Sequence, residues 1–400
     1  MTTASTTSPD RAGSSLSKAL TLAHTHRVAL RSDLTDRLGL TRTATGLVLR
    51  ELESLSLIRT VAAPRAGAAV PTTGRPSHAV EIHPDAPTVL AVLVQTKSVL
   101  IAEARLGGVL GPVEQVPLPE PTTPESVLGV IAARLSARLT TTDRPAFAVG
   151  LALPSAVGTD GTALAAHHLA WPPAVPARRL LNGLLARAGH ADIRVQVGND
   201  ANLAALAESR HGAGQGATQV LYAMTGQVGV GGGLVVDGRL HLGSAGYALE
   251  IGHTPVPPGV RPCRCGNRGC LEVEADTAAL LAAAGLSTIE PTIDAARAVI
   301  ARRGVDPLAR AATDLVTQRL AGGLACMINI LNPDRVVLGG MHADLLAAEE
   351  QQLRAGINRH SFLDQAARIE LRAAELDEPA LAGAAELALQ SLLDDPRLLV

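Results

Sequence analysis

The chain has 400 residues, of which 47% are hydrophobic and 1% aromatic, with a formal net charge of -2. This length and apolar content suit two or three packed units, and no run of about 20 apolar residues is present to span a membrane. None of Phe147, Trp171, Tyr222, Tyr247 and Phe362 falls in the N-terminal part, which argues against single-strand binding by aromatic stacking.

Residues 1–14 are rich in Ser, Thr and Ala without periodicity and are expected to form a disordered leader. They lack the apolar stretch of a secretory signal, so a cytoplasmic protein with no membrane partner is expected. Residues 1–85 hold ten Lys/Arg against seven Asp/Glu, a balance of +3 that leaves -5 for the remainder. A basic excess this small is a nucleic-acid signal only if a motif stands behind it.

From Ser15 the chain reads as a helix with Leu16, Leu20 and Leu22 as apolar positions. Ser32 is expected to cap a short helix ending near Leu38, Gly39 to allow a tight turn, and Thr41 to cap a longer helix. In that helix Ala44, Val48, Leu52 and Leu55 form the expected buried stripe, leaving Arg42, Thr43, Thr45, Gly46 and Arg50 toward solvent. Small and basic residues at a helix start suit a recognition helix in a major groove, while an ordinary helical hairpin shares the spacing. Two short strands, Leu57–Val61 and His78–Ile82, flank a Gly/Pro-rich loop that reads as a wing, or else as a flexible linker. Arg75 between Gly74 and Pro76 is the candidate for a minor-groove contact. Residues 15–83 are therefore expected to be a winged helix-turn-helix that binds double-stranded operator DNA through Arg42, Thr43, Thr45, Arg50 and Arg75.

The Pro-bounded stretch 83–88 reads as a hinge. Beyond it, apolar runs ending in Gly, Pro, Asn or Asp alternate with helical segments such as Asn202–Ser209 and Ala311–Leu331, which predicts an α/β domain over 88–400. Three of the four cysteines crowd within eight positions and Cys326 stands alone, which is not a disulfide framework. His253, Cys263, Cys265 and Cys270 supply four ligands for one closed, structural Zn²⁺ ion, leaving no position for an activated water. Gly266 and Gly269 would permit the necessary reversals, and reactive thiols are the alternative.

Glu250-Ile-Gly-His253, followed by the run from Cys263 to Glu272 (CRCGNRGCLE), resembles the signature of the ROK family of repressors and sugar kinases. The segments VGNDANLAALAE, GVGGGLVVDGRL and LNPDRVVLGG also match. The resemblance implies two actin-like (ATPase-type) lobes, a zinc motif over 250–272, and a cleft in which Asn199, Asp200, Glu250, His253 and Glu272 contact a sugar or sugar phosphate. Polyols need several fixed acceptors to be drawn from water, which suits these residues. Taken singly, Asn199 and Asp200 could merely cap a helix, and the glutamates could be surface charges.

Kinases of the family carry an acidic, glycine-rich first phosphate loop where this chain has Val92, Val94 and Gln95. Their second loop begins with Gly and Thr where Gln227 and Val228 stand here. Asp200 matches their catalytic base but, without phosphate loops, is expected to serve as a ligand contact. Pro154-Ser155 departs from the usual Pro-Gly. The expected protein is a sugar-responsive repressor, dimeric or tetrameric, rather than an enzyme; the alternative is a sugar kinase fused to a DNA-binding module.

Overall fold

The computed structural model of the chain describes residues 14–62, 78–141, 146–226, 229–364 and 367–399. Residues 1–13 of the expected leader, Arg75, Gln227 and Val228 lie outside these residues. Helix α1 (Ser15–His26) starts where the Ser14 hydroxyl accepts from the Ser17 amide. It is followed by β1 (Val28–Leu30), α2 (Arg31–Leu38), α3 (Arg42–Ser54), β2 (Ile58–Ala62) and β3 (His78–Ile82), with the strands ordered β1-β3-β2. This order of three helices and a three-stranded sheet is consistent with the expected helix-turn-helix.

Gly39 takes the left-handed φ of 63° that closes α2, and the Thr41 hydroxyl accepts from the Ala44 amide at the start of α3. Ser32, expected as a cap, instead lies inside α2; Leu30 holds the N-cap position and offers no capping side chain. The buried face of α3 also differs from expectation. Thr45, Leu49 and Leu52 turn inward with Gly46, whereas Ala44, Val48 and Leu55 are only half-buried. Thr45 is fully buried and its hydroxyl donates to the Thr41 carbonyl, so it cannot reach a base edge. Positions 45, 49 and 52 keep helical spacing as well as the expected set does, and Leu49 buries more apolar area than Ala44.

Residues 83–88 are not a loose hinge. The His83 amide donates to the Leu57 carbonyl at 3.0 Å, Ala86 is buried, and β4 (Thr88–Val94) follows at once. β4 pairs antiparallel with β5 (Ser98–Arg105) and parallel with β8 (Ala148–Leu153), which pairs parallel with β9 (Arg194–Asn199). β6 (Val109–Leu110) and β7 (Glu114–Pro117) both pair with β5, and α4 (Pro124–Thr141) and α5 (Ala177–Arg187) pack together beside this sheet.

The second sheet is ordered β12 (Arg239–Leu240), β11 (Val230–Val236), β10 (Gln219–Thr225), β13 (Arg335–Gly340), β14 (Glu370–Ala373). Against it lie α8 (Thr277–Ala283), α9 (Ile293–Arg302), α10 (Pro307–Leu331) and α11 (Met341–His360), with the one-turn α7 (Leu271–Glu274). Two helices join the lobes: α6 (Asp200–His211) packs on β10 and β11, and α12 (Pro379–Asp394) packs on β4 and β8. Their contact is close because Gly383 has no side chain; a Cβ there would stand 1.9 Å from the Leu203 carbonyl oxygen. One hydrophobic core runs from Leu16, Leu20 and Ala23 of α1 through Ala86 and Val89 to Leu389 and Leu392 of α12.

Candidate functional site

The site gathers where α6 begins. Asn199 ends β9 and caps α6: its Oδ1 accepts from the Asn202 amide at 2.9 Å, while its Nδ2 donates to the Ser155 carbonyl and to Asp200 Oδ1. It therefore has a structural job as a helix cap, besides any ligand role. The Ser155 hydroxyl donates to the Ala156 carbonyl and accepts from the Ala165 amide, drawing together the two ends of the 155–165 loop.

Asp200 Oδ1 accepts from the Ala201 amide at 2.8 Å. Burial pushes its carboxyl up to about 6, opposed by that amide and reinforced by Glu250. Glu250 is likewise raised, first by desolvation of its carboxyl, then lowered by His253 and raised by Glu272. Leu249 before it holds a φ of 66°, a left-handed conformation that costs a non-glycine residue about 1–2 kcal/mol and sets the direction of Glu250. Gly252 lets the turn Ile251–His253 lie on β11, since a Cβ there would meet the Val230 carbonyl oxygen at 2.1 Å.

His253 faces two ways. Nδ1 lies 3.6 Å from Cys263 Sγ, and Nε2 lies 3.9 Å from Glu272 Oε2. Cys265 Sγ and Cys270 Sγ are 3.7 Å apart, and the four ligand atoms of His253, Cys263, Cys265 and Cys270 all lie within 4.8 Å of one another. Tetrahedral thiolates at Zn–S of about 2.3 Å stand about 3.8 Å apart, so the donor set fits one four-coordinate ion. The loop closes through Gly266 (φ 91°) and Gly269 (φ 68°); a Cβ on Gly269 would overlap the Gly259 carbonyl. Glu272, at the start of α7, is placed by the same loop and lies 3.8 Å from Cys263 Sγ.

Asn199 hydrogen-bonds Asp200, Asp200 neighbours Glu250, and Glu250 neighbours His253 and Glu272, the last two beside the metal-type cluster. Two neighbours escaped the sequence reading. His168, in the short turn His167–Leu169, has its basicity lowered by burial, then by Arg264, with Glu272 opposing. Asp276 caps α8 through the Ala279 amide and also accepts from the Gly229 amide at 3.3 Å. Their only sequence signal was a polar residue next to an apolar turn. Of the DNA-facing candidates, Arg42, Thr43 and Arg50 are exposed on α3, and Leu47 joins them on that face, 58% exposed. Among the described residues no helix is long and apolar enough to cross a membrane.

At the positions of the first phosphate loop, Val92 and Val94 are buried in β4, and the Gln95 amide donates to the Ser98 carbonyl in a tight turn.

Comparison with known proteins agrees with this architecture. A regulator of the ROK family, a homolog of the Escherichia coli MLC protein, superposes with a TM-score of 0.75 at 22% identity, covering 95% of this chain and 98% of that one. The xylose repressor of Caldicellulosiruptor bescii is 26% identical over 294 residues, 69% of this chain and 66% of that protein. A glucokinase of Halalkalibacterium halodurans is 37% identical over 160 residues, 36% of this chain and 48% of that enzyme. The chain therefore spans at most about two thirds of the length of these curated relatives. The ROK family profile matches residues 101–391, so the chain belongs to the ROK family.

Proposed function

We propose that this protein is a sugar-responsive, DNA-binding transcriptional regulator acting as a repressor in the cytoplasm. The observation that carries the reading is the combination, in one chain, of an exposed α3 face bearing Arg42, Thr43 and Arg50 with a cluster of acceptors and one imidazole around Asp200 and Glu250. Residues 15–83 form the DNA-binding unit, with Arg75 as the wing contact, and 88–400 the sugar-binding unit. Asn199, Asp200, Glu250, His253 and Glu272 hold the sugar hydroxyls, with acceptors and one imidazole at fixed angles. The relatives' names support a pentose or hexose, free or phosphorylated, as effector. Half-site recognition by a helix-turn-helix implies a homodimer, or a tetramer built from dimers.

His253 Nδ1 and the three cysteines would hold one structural Zn²⁺ per chain. Burial pushes the Cys270 thiol up to about 12, so a bound cation is what would keep it a thiolate at neutral pH. Such an ion would fix the loop carrying Glu272 and leave His253 Nε2 facing the ligand.

A kinase fused to a DNA-binding module is the second reading, favoured by the Asp200 carboxyl near 6, a value suited to a general base. Against it stand Val92 and Val94, which offer neither a carboxylate for Mg²⁺ nor free backbone amides for phosphate. The test is selection of duplexes from random DNA by the full-length protein, followed by operator titrations with and without D-xylose or D-glucose. The regulator predicts an enriched palindromic duplex whose affinity shifts on adding sugar. Sequence-independent binding alone would refute it, and ADP release from ATP plus sugar would establish the kinase.

A further inference from the structure

Four polar side chains meet, buried, where α1 of the DNA-binding unit packs on α12 and α6. His24 of α1 accepts through Nδ1 from the Gly107 amide at 2.8 Å, and its Nε2 lies 2.8 Å from Glu386 Oε2 of α12. Since Nδ1 accepts, the ring proton sits on Nε2 and donates to Glu386. Glu386 also receives Arg210 Nη1 at 2.7 Å and His211 Nε2 at 3.0 Å, both from the last turn of α6. Arg27 Nε donates to the Gly107 carbonyl at 2.8 Å, and the His211 ring occupies the space a side chain on Gly108 would need. With both Glu386 oxygens and both His24 nitrogens engaged, the cluster is a satisfied hydrogen-bonded clasp rather than an open ligand set for a metal ion.

α6 has twelve residues, about 18 Å at the usual helical rise. Its first residue is Asp200 of the sugar cleft and its last two clasp residues are Arg210 and His211. We infer that His24, Glu386, Arg210 and His211 are positioning residues that lock the DNA-binding unit to the sugar-binding unit, and that α6 carries sugar occupancy to this joint. The coupling half of the inference rests on the sugar-responsive reading above. A shift of α6 on ligand binding would move Arg210 and His211 against Glu386, and through Glu386 the His24 ring that anchors α1. Rigid elements with two arrangements are what such coupling requires.

The joint also carries a pH dependence. The charged and titratable groups facing His24 are Glu386 from α12 and Arg210 and His211 from α6. Burial lowers the basicity of His24, with Glu386 opposing and His211 and Arg210 assisting. Burial would raise Glu386, but His24, His211 and Arg210 reverse this and hold it well below the usual range. A protonated His24 would turn an N–H toward the Gly107 N–H. The closed clasp therefore binds this proton less well than the open one, and loses ground below about pH 6.5, by at most about tenfold per unit.

The experiment uses the full-length chain and its His24→Ala, His24→Gln and Arg27→Ala variants. Three quantities are read: D-xylose or D-glucose affinity by calorimetry, affinity for the selected duplex with and without that sugar, and exchange of the Gly107 amide. Arg27 is exposed, so that variant remains folded whatever His24→Ala does. For His24→Ala we expect sugar affinity within about twofold of the parent, a sugar effect on DNA binding reduced to below about twofold, and at least tenfold faster Gly107 exchange. Arg27→Ala is expected to give an intermediate result. His24→Gln, which keeps one acceptor and one donor, is expected to recover part of the response without its pH dependence between 7 and 5.5. Gly107 exchange unchanged in both His24→Ala and Arg27→Ala overturns the clasp. An opened clasp with the full sugar response retained overturns the coupling. A parent that binds neither sugar nor a selected duplex refutes the functional reading and the coupling with it, leaving the clasp judged by exchange alone.

Discussion

Asp200 stands in two environments at once, capped by the Ala201 amide yet withdrawn from water beside Glu250. Its carboxyl titrates near 6, so the acceptor is lost as pH falls through that value, and sugar affinity is expected to drop several-fold between pH 7 and 5. Asp200→Asn should bind sugar weakly at both values. A carboxyl raised from 3.8 opposes folding above its folded value and not below 3.8. The same variant is therefore expected to unfold at equal or higher denaturant at pH 7, by up to about 2 kcal/mol, as urea titration would read. A variant both destabilised and normal in sugar binding would assign Asp200 a purely structural role. The residue stood out in the sequence only through the resemblance carried by VGNDANLAALAE; taken singly it read as a helix cap. The Asn199 cap was among the sequence readings, but its bond to the Ser155 carbonyl was not, because that partner depends on how the 155–165 loop returns.

In α3 the element decides what the single positions mean. The sequence reading found the helix, its cap at Thr41 and the stop of the preceding α2 at Gly39, since these depend on local backbone geometry. It chose the wrong inward stripe because two apolar faces about one residue apart fit 3.6-residue spacing, and only packing against α1 and the wing selects between them. The consequence is a sharp division. Leu52→Ala should destabilise the protein by about 2–4 kcal/mol in urea titration, with DNA binding lost only as the fold is lost. Arg50→Ala should leave stability within about 0.5 kcal/mol and weaken duplex binding, with a shallower salt dependence. Equal DNA affinity at every salt concentration for Arg50→Ala would remove that side chain from the interface.

Across the whole molecule, the two lobes and the N-terminal helices share one continuous core through α12, so the N-terminal unit is seated on the rest rather than tethered to it. The cysteine cluster lies in the second lobe, whereas α1 is anchored on α12, on Gly107 in the turn between β5 and β6, and on α6. Removing the ion with a strong chelator is therefore expected to release one zinc per chain and weaken sugar binding at least tenfold. Affinity for the selected duplex in the absence of sugar should survive. Metal analysis with parallel calorimetry measures this, and unchanged sugar affinity in zinc-free protein would detach the metal from the ligand site.

Local chemistry is what the sequence determined by itself: capping residues, strand and helix periods, the His253/Cys263/Cys265/Cys270 spacing and the carboxylates interleaved with it, each fixed by neighbours a few positions apart. Tertiary structure alone decided which face of α3 is buried, how 83–88 is pinned, and that His24 meets Glu386. Those contacts join residues up to 362 positions apart, and no periodicity encodes them; they follow from α12 folding back between the sheets to close the core.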